Sequence, residues 1–251
     1  MITDLHVHTE LSCDSEAKIS DYIDIAKRRK VGVLCFTDHV DFNKIDEGYN
    51  YYNPEKFFSY YNELCRNTDM DILAGIEFSE PHLYKEELDK LKEYPYDFII
   101  GSVHWVGDLF PFQKVRDQYT AEEFFDLYWK EVYECVLSGG FDSLGHIDFP
   151  KRYYGELYYN ENQIRDIFRI MLHKNIVLEI NTSSLRKGLA DTMPCDTFLE
   201  MYKDCGGKYV TIGSDSHEAE DLATNYEEAK RLADRYELKN VIFKERKMIL
   251  V

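Results

Sequence analysis

Seven short apolar runs, each followed by a stretch long enough for a helix, set the narrowest limit on what this chain can fold into. The runs cover residues 2–7, 31–37, 71–78, 97–103, 142–147, 176–181 and 208–213, with a weaker run at 240–243. Each is rich in β-branched or aromatic residues and almost continuously apolar, as a strand covered on both faces must be. Helix signals fall between them. Ser20-Asp21 is expected to cap a helix ending near Lys30, and Asn53-Pro54 reads as an N-cap followed by proline at the first helical position. Thr120 to Glu123 fits a capping box, and Asn160 to Gln163 is a looser version. Gly139-Gly140 and Gly206-Gly207 stand where helices should stop. Strand-then-helix units in this number predict an α/β fold around a parallel sheet, closed or doubly wound. The 251 residues suit a single barrel domain over 1–251. Two strand-to-helix connections, 38–53 and 104–119, are long enough to suggest function.

Composition narrows the partners. The net charge of −17 argues against nucleic acid or an anionic membrane as the main partner, because phosphate backbones are held by basic surfaces. Cys13, Cys35, Cys65, Cys135, Cys195 and Cys205 show no CxxC pair and no finger-like spacing, so reduced thiols are expected. No apolar run reaches the length of a membrane span. The first ten residues, MITDLHVHTE, carry no signal-peptide pattern, which points to the cytoplasm. Oligomeric state is not legible.

The chemistry-bearing residues cluster by position. His6 and His8 close the first run at i and i+2, a spacing that puts both imidazoles on one strand face, with Asp4 on the same face. Later runs end in Thr37-Asp38-His39, Gly75-Ile76-Glu77, Gly101-Ser102-Val103-His104, Gly145-His146-Ile147-Asp148 and Gly213-Ser214-Asp215-Ser216-His217. In a barrel of parallel strands these ends converge on one face, where active sites are built. Packing alone would place apolar side chains there. The ligands on offer are nitrogen and oxygen with no thiolate, which suits Zn²⁺, Mn²⁺ or Fe²⁺. Six histidines with several carboxylates exceed the needs of one ion, so a multinuclear site with a bridging carboxylate is expected. Such ions lower the pKa of a bridging water enough to supply hydroxide near neutral pH.

The succession DLHVHTELSCDS, FTDH, GIE, SVH, GHID and GSDSH resembles the polymerase and histidinol phosphatase (PHP) superfamily from residue 4 to residue 217. Within it, the length, Asp14 and the stretch from Glu179 through Arg186 to Gly188 resemble the stand-alone histidinol-phosphate phosphatases. The resemblance implies a distorted (β/α)7 TIM-like barrel with three divalent ions. One ion would be held by His6, His8, Glu77 and Asp215, a second by Glu77, His104 and His146, and a third by Asp14, His39 and His217. Arg152 and Arg186 would bind substrate phosphate, as guanidinium forks suit a phosphoryl group. The implied reaction is hydrolysis of L-histidinol phosphate in histidine biosynthesis. Another phosphoesterase of the superfamily, acting on phosphotyrosine or nucleotides, is the alternative, and a non-catalytic metal-binding module is a third.

Softer candidates remain. Asp4, Asp38 and Asp148 neighbour the ligands as possible orienting acceptors, and Asp38, Glu80 or a metal-bound water is the candidate general acid. Glu80 either receives a cationic amine of the substrate or caps a helix starting there. His82 and His173 are expected in helices away from the site. Tyr49, Tyr51, Tyr52, Tyr153 and Tyr154 either wall a pocket or sit at the surface.

Overall fold

The computed structural model describes residues 1–66, 68 and 70–251. Its strands are β1 (Ile2–Asp4), β2 (Val31–Phe36), β3 (His39–Val40), β4 (Asp71–Ser79), β5 (Phe98–Ser102), β6 (Ser143–Leu144), β7 (Val177–Asn181), β8 (Tyr209–Gly213), β9 (Lys239–Lys244) and β10 (Lys247–Leu250). The helices are α1 (Ile19–Arg29), α2 (Pro54–Arg66), α3 (Lys85–Leu91), α4 (Gln113–Arg116), α5 (Ala121–Ser138), α6 (Lys151–Tyr154), α7 (Glu161–His173), α8 (Ser183–Arg186), α9 (Asp196–Asp204) and α10 (Tyr226–Arg235).

The hydrogen-bonded order is β1-β2-β4-β5-β6-β7-β8-β9-β10, with β3 beside β4, and only the β9–β10 pair is antiparallel. The chain beyond β1 closes the gap between β2 and β8, leaving β9 and β10 outside the ring. Leu5 N donates to Ile212 O at 3.0 Å, Asp215 N to His6 O at 2.8 Å and His8 N to Ser216 O at 2.9 Å, while Thr37 N donates to Val7 O on the other side. The result is a distorted α/β barrel. The first strand is therefore shorter than the apolar run 2–7, but residues 5–8 still lie extended between their neighbours.

Strand parity sorts the side chains. Val33 and Cys35, Leu73, Phe98 and Ile100, and Val177 pack inside the lower barrel, where Val241, Ile242 and Phe243 of β9 join them. The alternate residues Leu34, Phe36, Ala74, Ile76, Ile99 and Leu178 face the helices. Helices turn apolar stripes to that outer layer, as in Ile164, Ile167, Phe168 and Met171 of α7. No helix among the described residues is long and apolar enough to cross a membrane.

The helix signals resolve individually. Asn53 Oδ1 accepts from Lys56 N at 2.7 Å, Thr120 and Glu123 form a complete capping box, and Asn160 Oδ1 accepts from Gln163 N at 3.2 Å. The Ser20-Asp21 cap does not form: α1 starts at Ile19 with Lys18 as N-cap, so Ser20 is already helical. His82 lies in a turn before α3, not in a helix, and its Nε2 meets Glu131 Oε2 at 2.7 Å, while His173 ends α7. Short elements interrupt both long connections, β3 in the first and α4 in the second. Cys13, Cys35, Cys135, Cys195 and Cys205 are free thiols, and the side chain of Cys65 lies outside the described residues.

Candidate metal centre

Glu77 sits at the centre of the upper barrel because residues 73, 75 and 77 of β4 point inward and Gly75 below it leaves room. Its Oε2 lies 3.1 Å from His6 Nε2, 3.5 Å from His8 Nε2 and 3.1 Å from His39 Nδ1. Its Oε1 lies 2.9 Å from His146 Nε2 and 3.4 Å from His104 Nε2, and accepts from Ser102 Oγ at 2.6 Å. Asp215 Oδ1 stands 3.4 Å from His8 Nε2 and 3.9 Å from His6 Nε2. Toward the opening, Asp14 Oδ2 stands 2.9 Å from His217 Nε2 and 3.4 Å from His39 Nε2. The structure thus brings His6, His8, Asp14, His39, Glu77, His104, His146, Asp215 and His217 together. Sets with donor atoms within 4.8 Å of one another are His8-Asp14-His39-His217, His6-His8-Glu77 and His39-Glu77-His104, so they overlap at His8, His39 and Glu77.

These residues fit metal ions. His6 Nε2, His8 Nε2, His39 Nδ1 and Glu77 Oε2 are buried without a hydrogen-bond partner, a costly arrangement unless a cation fills the space between them. Donors bound at 2.0–2.2 Å to one ion stand roughly 3–3.6 Å apart, which is the spacing around Glu77. Electrostatics agree. Burial would raise Glu77, but His6, His39 and His104 hold it well below the usual carboxylate range. Burial would likewise raise Asp215, yet Arg152 and His6 hold it down. Burial and the charges of His217 and His39 push His8 down to about 3, so its imidazole is neutral and free to ligate. Cys13 borders the cavity, but burial pushes its thiol up to about 12, so it stays protonated.

Three further aspartates do not touch an imidazole. Asp38 accepts from Thr9 N at 2.6 Å and Thr9 Oγ1 at 3.1 Å. Asp4 accepts from Ser214 N at 2.8 Å and Ala223 N at 2.7 Å. Asp148 takes Lys151 Nζ at 2.8 Å and Cys195 N at 3.3 Å. Asp148 thereby ties Lys151 to the Cys195 backbone, whereas Asp38 and Asp4 fix the backbone of loops that carry cluster residues. Glu80 behaves the same way: its Oε1 accepts from His104 N at 2.7 Å and Trp105 N at 3.1 Å. It caps no helix, since α3 begins at Lys85, and it does not border the cavity. Burial raises Asp38 and Glu80 to about 7 each.

Sequence reasoning missed Glu179 as a working residue, although it lay in a quoted motif. Its Oε1 is 2.6 Å from His6 Nδ1 and its Oε2 accepts from His146 N at 2.8 Å. A ring that donates from Nδ1 turns its Nε2 lone pair toward Glu77, which fixes the ligating tautomer of His6. The only signal was parity: residues 177, 179 and 181 of one strand face inward.

Beside the cluster opens a cavity of about 570 Å³. Arg152 in α6 spans it to Asp215 at 2.7 Å and Ser183 Oγ at 2.5 Å through Nη2, while its Nε is buried without a partner. Arg186 donates to Ser214 O at 2.7 Å and Asp215 O at 3.0 Å and pairs with Asp221 at 3.1 Å, so most of its fork is engaged. Of the tyrosines, only Tyr153 borders the cavity; its aromatic lining is otherwise Trp105, Phe110, Phe112 and Phe149.

Fold and site together define a class of barrel enzyme whose histidines and carboxylates form overlapping groups able to hold metal ions. The PHP domain family matches residues 4–183, and the chain belongs to that family. It is 32% identical over 99% of both chains to a probable histidinol-phosphatase of Clostridium acetobutylicum. It is 28% identical to the histidinol-phosphatase of Lactococcus lactis, covering 85% of this chain and 83% of that one. The crystal structure of histidinol phosphate phosphatase from Lactococcus lactis, complexed with zinc, L-histidinol and phosphate, superposes with a TM-score of 0.89 at 26% identity, covering 99% of this chain and 98% of that one.

Proposed function

We propose that this chain is a metal-dependent phosphomonoesterase that hydrolyses L-histidinol phosphate to L-histidinol and phosphate, a step of histidine biosynthesis. The observation that carries the chemistry is the ring of buried, unpartnered nitrogen and oxygen atoms around Glu77, opening onto an arginine-bearing cavity. The substrate rests on the relatives named histidinol-phosphatase.

We assign three divalent ions, zinc, manganese or iron, to His6, His8, Asp14, His39, Glu77, His104, His146, Asp215 and His217. Bound there, the ions supply Lewis acidity toward phosphoryl oxygens and toward water. Arg152 spends Nη2 on Asp215 and Ser183, and its unpartnered Nε is offered to a phosphoryl oxygen, whose charge grows during transfer. Arg186 pins the Ser214–Asp215 backbone and adds positive charge at the same rim. Glu80 and Asp38 hold loop backbone behind the cluster. The free thiols support a reducing cytoplasm. We read residues 1–251 as one barrel unit, because Asn240 near the end of the chain donates to Thr3 near its start at 2.8 Å.

The test is phosphate release from L-histidinol phosphate after metal removal and reconstitution with Mn²⁺, Zn²⁺ or Fe²⁺, alongside His217→Ala and Arg152→Ala. Metal-dependent turnover that drops about a hundredfold or more in Arg152→Ala is expected. Turnover of a different phosphoester, with none of L-histidinol phosphate under any metal, overturns the substrate while keeping the site.

A further inference from the structure

Arg152 is carried by one of the shortest elements of the fold. Helix α6 has four residues, its N-cap Pro150 makes no side-chain cap bond, and the chain leaves it at once through Gly155 in the left-handed region. A single helical turn does not hold itself in water. The direction in which Arg152 leaves α6 is therefore set by whatever fastens the turn from outside.

Two cations do so. On one side Arg116 Nη1 donates to Tyr153 O at 2.5 Å, and its Nη2 to Gln113 Oε1 at 2.8 Å. On the other, Lys151 Nζ donates to Asp148 Oδ2 at 2.8 Å and to Thr192 O at 2.9 Å. The Thr192 anchor is itself fixed: the next residue, Met193, exchanges two backbone bonds with Asn181 of β7, at 2.8 and 3.0 Å. Asp148 Oδ2 also accepts from Cys195 N at 3.3 Å. Lys151 thus pins α6 to the end of a barrel strand. It does not border the cavity, whereas Arg152, about 100° further round the turn, does.

Lys151 is 6% exposed and Asp148 0%, and Asp148 Oδ1 is buried without a hydrogen-bond partner. A buried ion pair of this kind gains little stability over apolar side chains of the same volume. What apolar side chains cannot do is aim two short bonds at two fixed oxygens. The pair therefore serves placement more than stability.

We propose that Lys151, anchored by Asp148 and the Thr192 carbonyl, is a positioning residue that sets how α6 presents Arg152 to the phosphoryl group. This rests on the phosphomonoesterase reading, in which Arg152 meets a phosphoryl oxygen. Without the Lys151 ammonium, α6 is fastened from the Arg116 side and by the bonds of Arg152 itself. The guanidinium then no longer arrives in one orientation, and small misplacements of such a group weaken its hold on the transferring phosphoryl.

The experiment is a double-mutant cycle on the metal-reconstituted protein. Wild type, Lys151→Met, Lys151→Arg, Asp148→Asn, Arg152→Ala and the Lys151→Met, Arg152→Ala double variant are compared. For each, kcat and KM on L-histidinol phosphate and phenyl phosphate, inhibition by inorganic phosphate, metal content and melting temperature are measured. Phe243→Ala, at the opposite end of the barrel, is the control for general destabilisation. Lys151→Met should lose about tenfold in kcat/KM on both esters, with phosphate inhibition weakened in step and metal content unchanged. Lys151→Arg should recover part of the loss, and Asp148→Asn, which keeps an oxygen, should lose less. In the Arg152→Ala background Lys151→Met should cost less than about twofold. An equal loss in both backgrounds, no loss in either, a loss of bound metal, or a loss that Phe243→Ala reproduces at a similar melting temperature overturns the proposal. If Lys151→Met does not fold, Asp148→Asn takes its place in the cycle under the same criteria. If wild type cleaves neither ester, the phosphomonoesterase reading falls for those substrates and calorimetric binding of inorganic phosphate decides the role of Lys151. Binding weakened by Lys151→Met but not further in the double variant supports it, and binding absent or unchanged overturns it.

Discussion

Glu179 is 1% exposed and touches two candidate ligands that follow different strands, the ring of His6 and the backbone of His146. A carboxylate suits these contacts because both oxygens accept: Oε1 faces the His6 ring, and Oε2 takes His146 N and Asn181 Nδ2. Glutamine offers one acceptor and places an NH2 group against a second N–H. Glu179→Gln should therefore weaken metal binding by about 10–100-fold, measured by chelator competition. The melting temperature of the metal-free protein serves as control: a large drop there with unchanged metal affinity would mean that Glu179 only supports the fold. The ligand candidates were legible residue by residue because imidazoles and carboxylates rarely occupy strand ends in an apolar barrel. The partners of Asp38, Glu80 and Glu179 were not, because a carboxylate that orients a ligand and one that caps backbone look alike in sequence.

At the level of elements, period-2 alternation does most of the placement. Residues 98, 100 and 102 of β5 face inward, so Ser102 reaches Glu77, and residues 209, 211 and 213 of β8 bring Gly213 against His6 and Glu179. A Cβ on Gly213 would collide with the Glu179 carboxylate and the His6 side chain, both buried. Gly213→Ala should cost about 1–3 kcal/mol of stability by overpacking and reduce metal occupancy as well, checked by denaturant unfolding and metal analysis. Element boundaries were less legible. Helix α1 starts at Ile19 with no side-chain cap, so a serine one position inside it misled the reading. Strand β1 stops at Asp4 by regular pairing, yet the backbone bonds of Leu5, Val7 and His8 to two neighbours keep the i, i+2 geometry on which the histidine pair depends.

On the scale of the molecule, the barrel has a working end and a sealed end. The C-terminal hairpin β9–β10 seals the end opposite the cluster. Phe243 stacks on Phe98 at 5.3 Å between ring centres, Lys244 pairs with Asp71 at 2.7 Å, and Arg246 pairs with Asp142. Phe243→Ala should cost about 3–5 kcal/mol, read from chemical denaturation, while kcat of the folded, metal-loaded protein stays within about twofold because the cavity lies at the other end. A matching loss of kcat would show that the two ends are coupled.

The sequence by itself determined the strand-helix alternation, the family, and which residue types gather at the C-terminal ends of the strands, because these follow from local periodicity and from chemistry that packing would otherwise exclude. It did not determine how the ligands divide among ions: His8, His39 and Glu77 each lie within reach of two groups, and only three-dimensional distances reveal that sharing. Nor did it reveal the wall of the cavity. Trp105 and Phe110 come from one connection, Asp46 and Phe149 from two others, and nothing in their spacing shows that an indole donates across a cavity mouth to a carboxylate 59 residues away. Contacts between loops are set by where the strands beneath them end, which is a property of the closed barrel and not of any segment.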